Sequence, residues 1–159
     1  QAMQSGHASM ATFHASSVEK LIQRLTGHPI NVPKTYVDNL NVVVIMSAVR
    51  LPDGRQVRRV TSVNEILGYD VVSGTFSFLE VFRWDPLGDT FEFSGDMSSQ
   101  MLEGTIALRR GIMPNERHLI YAELRRMAKL FASLHQRGIT NFYEFYGALS
   151  QGYVEGIFR

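Results

Sequence analysis

Two histidines stand seven residues apart near the start of this sequence, in Ser5-Gly6-His7-Ala8-Ser9-Met10-Ala11-Thr12-Phe13-His14-Ala15-Ser16. An imidazole titrates near neutrality and can act as donor, acceptor or cation. A pair of them therefore suits hydrogen bonding to a phosphate oxygen, or the coupling of a reaction to motion. The same intermediate polarity suits a structural histidine at a partly buried position. Small, weakly polar residues join the two, and the stretch predicts a short strand over 9–14 with His14 at its carboxyl end. Ser16-Ser17-Val18-Glu19 then reads as a helix start, because Ser16 and Glu19 have capping-box spacing. A strand-to-helix junction is a common ligand site, since the helix N-terminus presents unpaired N–H groups to anions.

The elements around this junction follow from patterning. Val18, Leu21, Ile22 and Leu25 share one face of a predicted helix over 17–26, which Gly27 ends. Val32-Pro33 keeps the connection extended, and Pro33 can open a short helix through about 40. Val42-Val43-Val44-Ile45-Met46 is a continuous apolar run, which predicts an interior strand buried on both faces. Pro52-Asp53-Gly54 supplies turn chemistry for a hairpin returning through 57–66. A second hairpin is predicted from 75–83 through Trp84-Asp85-Pro86-Leu87-Gly88 to 89–93. From Asp96 helix formers take over, with helices predicted over 96–110, 115–137 and 141–150. Ile120, Leu124, Met127, Phe131 and Leu134 form a 4-3-4-3 stripe on the second of these. The organisation reads as 1–95, carrying the histidines and hairpins, followed by a helical subdomain over 96–159.

The pattern Gln1-Ala2-Met3-Gln4-Ser5-Gly6-His7 followed by Thr12-Phe13-His14-Ala15-Ser16-Ser17 resembles the histidine box of the type II and type IV secretion ATPases. These motors drive protein secretion, pilus assembly and the archaeal swimming filament, the archaellum. The resemblance extends through Val18–Leu25, Asn31-Val32-Pro33 and Leu40–Ile45. It reaches Gly54-Arg55-Gln56-Val57-Arg58-Arg59-Val60-Thr61, which looks most like the archaeal branch. It implies the C-terminal part of a RecA-like α/β P-loop NTPase domain, with added β-hairpins and a C-terminal helical subdomain. It further implies ATP hydrolysis by a homo-hexamer that uses ATP and Mg2+, is cytoplasmic, and docks on a membrane-embedded platform at the inner face of the membrane. On that reading His7 and His14 are the catalytic sensors beside the γ-phosphate, and Arg24, Arg58 and Arg59 are candidate nucleotide contacts. Arg58 and Arg59 would point to opposite faces of a strand, so at most one can reach a given ligand.

The sequence departs from that family in two respects: no G-x-x-x-x-G-K-[ST] phosphate loop occurs, nor an apolar strand ending in acidic residues upstream of the histidines. Both would precede Gln1, so the chain reads as a fragment that binds nucleotide poorly and hydrolyses none alone. Two other classes stay open. One is a non-catalytic α+β interaction module, and the other a histidine-metal hydrolase using His7, His14 and His28, although their spacing matches no H-E-x-x-H pattern. Ser17-Val18-Glu19-Lys20 fits S-x-x-K by accident, since no S-D-N or K-T-G accompanies it.

Composition narrows the field further. A formal net charge of +1 over 159 residues provides no field for capturing nucleic acid. The absence of cysteine excludes disulfides and thiol chemistry. No apolar run approaches the roughly 18 residues of a membrane span. Arg109-Arg110 and Arg125-Arg126 read as solvated helix faces, and Phe142, Tyr143, Phe145 and Tyr146 as packing residues without an interleaved basic stripe.

Overall fold

A computed structural model describes residues 5–154 of the chain. The first amphipathic segment forms α1, Val18–Thr26. Its apolar face sets Val18, Leu21 and Ile22 against Val43 and Ile45 of the first strand, with Val37 of a short 3-10 helix, Lys34–Asn39, closing the cluster. Four strands follow: β1 Val42–Arg50, β2 Gln56–Asp70, β3 Thr75–Asp85 and β4 Thr90–Phe93. They pair in sequence order, each antiparallel to the next.

This overturns the expected RecA-like parallel α/β domain. The described residues hold a small antiparallel meander with helices. The physical reason lies in the connections. Segments of four or five residues join consecutive strands, and a parallel pair needs a crossover of about a dozen residues or more. In the first of these turns Asp53 Oδ1 accepts from the Arg55 N–H at 3.0 Å while Gly54 takes a φ of 87°. Residues 7–15 enter no ladder, so the strand predicted over 9–14 does not form among the described residues. Among the described residues β1 is the outermost strand instead of an interior one. α1 covers its Val43 and Ile45 face, and Val42, Val44 and Met46 are left exposed on the other.

The sheet passes to the helices through Gly95, which is buried and whose N–H donates to the Val81 carbonyl. A Cβ there would lie 2.8 Å from the Val81 Cβ and from the Phe93 ring, so only glycine fits unless neighbours move. The helix predicted over 96–110 starts later, at residue 100, and winds as a π-helix over Leu102–Ala107. α2, His118–Gln136, and α3, Phe142–Val154, complete the described residues. On α2 Ile120 and Leu134 are buried as the stripe predicts, but Phe131 is half exposed and meets Phe145 of α3 at 5.6 Å between centroids.

A buried polar clamp ties this helical part to the sheet. Ser99 Oγ donates to Glu65 Oε1 of β2 at 2.5 Å, and the Met101 N–H donates to Glu65 Oε2 at 3.1 Å. Ser99 Oγ also accepts from the Leu102 N–H at 3.0 Å, capping the helix. The Ser99 N–H reaches the Tyr121 hydroxyl, which donates to Glu103 at 2.6 Å. Burial, followed by the neighbouring Glu103 carboxylate, pushes the Tyr121 hydroxyl up to about 12.

Candidate functional site

The start of α1 decides where His14 sits. Ser17, one residue beyond the predicted Ser16, is the N-cap: its hydroxyl accepts from the Lys20 N–H at 3.2 Å. The same hydroxyl, hydrogen-bonded to Glu19, holds that carboxylate below its ordinary value. A capped N-terminus directs its remaining N–H groups and partial positive charge at whatever lies in front of it.

An open cleft of about 650 Å3 runs from Ser16, just before this N-terminus, along the flank of α1, between the segment Phe13–Ser16 with α1 on one side and Met46, Ser47 and Ala48 of β1 on the other. His14, Lys20 and Arg24 line it. Lys20 and Arg24 are four residues apart on α1 and so share one face. Arg24 does two things there. Its Nη1 donates to the His14 carbonyl oxygen, and its guanidinium lies 5.1 Å from the centroid of the Phe13 ring. One arginine thereby fastens the histidine segment to the helix. Lys20 Nζ donates to Gln23 Oε1 at 3.2 Å. The cleft therefore combines an imidazole, an ammonium and a guanidinium, a set suited to anionic oxygens.

The other predicted site residues lie elsewhere. His7 does not line the cleft, and its Nδ1 is 2.9 Å from Ser5 Oγ. The part of the histidine-box pattern at Gln1–Gln4 lies outside the described residues. Arg59 is held by Asp89: Nε and Nη2 donate to the two carboxylate oxygens at 2.8 and 2.7 Å, while the Trp84 indole N–H donates to the same carboxylate at 2.9 Å. This fork locks the β3–β4 turn to β2 and leaves Arg59 no free donor set for a nucleotide. The Asp89 carboxyl is lowered to about 2, chiefly by Arg59 and then by Trp84. Arg58 is exposed on β2 opposite Ala48 and is not among the residues that line the cleft. Lys20 was not singled out from sequence, yet its four-residue spacing from Arg24 was the available signal. Among the described residues no three histidine, aspartate or glutamate side chains gather to hold a metal ion. Nor is any helix among them long and apolar enough to cross a membrane.

No protein-family model matches the chain. It is similar to uncharacterized proteins of Methanocaldococcus jannaschii. It is 40% identical to MJ0900 over 158 residues, covering 99% of this chain and 28% of that protein. Against MJ1287 it is 43% identical over 96 residues, covering 60% of this chain and 35% of that protein. A third, MJ0781, is 31% identical over 84 residues, which is 12% of its length. The chain thus spans a minor part of each of these relatives.

Proposed function

We propose that this chain is one portion of a larger ATP-hydrolysing motor of the secretion type, which powers protein secretion or the assembly of a pilus or archaellum. The observation that carries the reading is the convergence of His14, Lys20 and Arg24 on one cleft along the flank of α1. The histidine-box resemblance supports it, as does similarity to longer relatives, matched over 28% and 35% of their own lengths, which leave room for a phosphate loop elsewhere in such a polypeptide.

Bound ATP with Mg2+ would supply the γ-phosphoryl group and the metal's charge neutralisation. In this proposal the phosphate cradle and the magnesium ligands come from sequence beyond these 159 residues, and a homo-hexamer working against a membrane platform completes the site. The chain's own part is positioning. Lys20 and Arg24 set the local positive field, and Arg24 orients the His14 backbone. The His14 imidazole can then hydrogen-bond a phosphate oxygen or the attacking water. The 159 residues alone turn over no ATP.

The test is His14→Ala in the full-length polypeptide. Turnover should fall about 10²-fold with the thermal midpoint nearly unchanged, as expected for a group acting in the transition state. Normal turnover in a variant that melts much earlier would make His14 structural. The chain would then be better read as an interaction module, which the exposed Phe142, Tyr143 and Tyr146 on α3 favour.

A further inference from the structure

We infer that the free edge of β1 is covered by a β-strand contributed by another part of the same, longer polypeptide. The ladder geometry shows which groups wait there. The Ile66 N–H donates to the Asn41 carbonyl, and Val42 stands opposite Glu65. Antiparallel pairing alternates, so Val43 and Ile45 turn their backbone groups to β2, while Val42 and Val44 turn theirs to the open edge.

The two edges of the sheet are treated differently. β4, at the far side, is four residues long and carries Glu92. Short length and charge are the usual guards against strand addition. β1 is nine residues long, and its first charge is Arg50 at the very end. Its exposed side chains Val42, Val44 and Met46 are 41, 50 and 66% accessible. These side chains stand off the sheet face opposite α1, whereas the backbone groups of Val42 and Val44 point along the sheet plane, and among the described residues nothing pairs with them. The edge therefore lacks the usual guards against strand addition.

An extended segment is the occupant that resolves this, because only another strand offers donors and acceptors at the ladder repeat. The same polypeptide is its source. MJ0900 matches nearly the whole of this chain with 28% of its own length, so relatives at this identity carry abundant further sequence. A tethered segment also acts at an effective concentration of the order of millimolar, above that of a second copy.

The inference rests on the ladder and is independent of the ATP reading. Its test is residue-resolved amide hydrogen exchange on the full-length polypeptide at a dilution where it is monomeric. The Val42 and Val44 amides should exchange at least about 100-fold slower than in a free chain, in the same class as Val43 and Ile45. Free-chain rates at Val42 and Val44 beside slow exchange at Val43 and Ile45 would show an open edge and overturn the inference. Free-chain rates at all four would overturn it too, as would protection that vanishes on dilution, which marks a second copy. An open reading frame confined to these 159 residues removes the occupant altogether.

Discussion

Ser99→Ala tests the clamp that fixes the helices to the sheet. Ser99 is 1% accessible, and its hydroxyl makes two hydrogen bonds, one to the buried Glu65 carboxylate and one from the Leu102 N–H. Losing an N-cap costs about 1 kcal/mol. Losing a hydrogen bond to a charged acceptor costs about 1.5–3 kcal/mol, and Glu65 would keep only the Met101 N–H. The sum, about 3 kcal/mol, is a large share of a domain stability of about 5–15 kcal/mol. At this chain length it lowers the thermal midpoint by roughly 6–12 °C. Urea unfolding followed by far-ultraviolet circular dichroism measures it. Ser98→Ala is the control, since that exposed hydroxyl reaches only the Ser94 carbonyl at 3.4 Å and should matter by less than about 0.5 kcal/mol. Adding Glu65→Gln to Ser99→Ala should recover part of the loss, because the underpaired charge is removed. A Ser99→Ala midpoint equal to that of the Ser98→Ala control, with unchanged m, would refute the clamp.

Asp89 has its folded value lowered from 3.8 to about 2, so its contribution is complete above about pH 4 and is lost as pH falls toward 2. Asp89→Asn should therefore flatten the acid limb of stability, read by Trp84 fluorescence; parallel limbs in the two proteins would contradict this. Arg24→Ala should free the Phe13–His14 segment, raising limited proteolysis there by about fivefold through the loss of about 1 kcal/mol of exposed contacts, with little change in midpoint. Cleavage at wild-type rate would show that the segment is held by something else. Gly95→Ala should destabilise by about 1–3 kcal/mol in the same urea assay, since its Cβ meets Val81 and Phe93 at 2.8 Å; a neutral result would mean that these neighbours yield freely.

Local patterning made much of the fold legible. The spacing of Val18, Leu21 and Ile22 foretold α1, and Pro52-Asp53-Gly54 and the Trp84–Gly88 stretch foretold both hairpins. What failed depended on partners distant in sequence. Arg59 is a plausible ligand residue until Asp89, thirty positions on, takes its donors. Glu65 reads as an ordinary strand residue until Ser99 meets it from thirty-four positions away. Ser16 and Ser17 are equally good caps by type, and backbone conformation alone chose Ser17. The strand expected over 9–14 and the double burial of 42–46 share one cause. Both readings assumed neighbours that the described residues do not contain.

The cleft and the open edge of β1 meet at Met46–Ala48, and this bears on what His14 can do. An imidazole, an ammonium and a guanidinium facing bulk water act through a high dielectric, where each is worth little to a developing charge. The same groups stabilise an oxyanion strongly once water is excluded and their geometry is held. A strand added along β1 would wall the cleft on its open side and bring both changes together. Arg24, already fastened to the His14 carbonyl and the Phe13 ring, would then need no reorganisation. The sharpest measurement is therefore the solvent accessibility of the His14 ring, read as its rate of carbethoxylation by diethyl pyrocarbonate in the 159-residue chain and in the full-length polypeptide. The ring should react much more slowly in the longer protein, because a walled cleft excludes both water and the reagent. Equal rates in the two would leave His14 open to water in both, and would withdraw the physical basis for giving it a catalytic role.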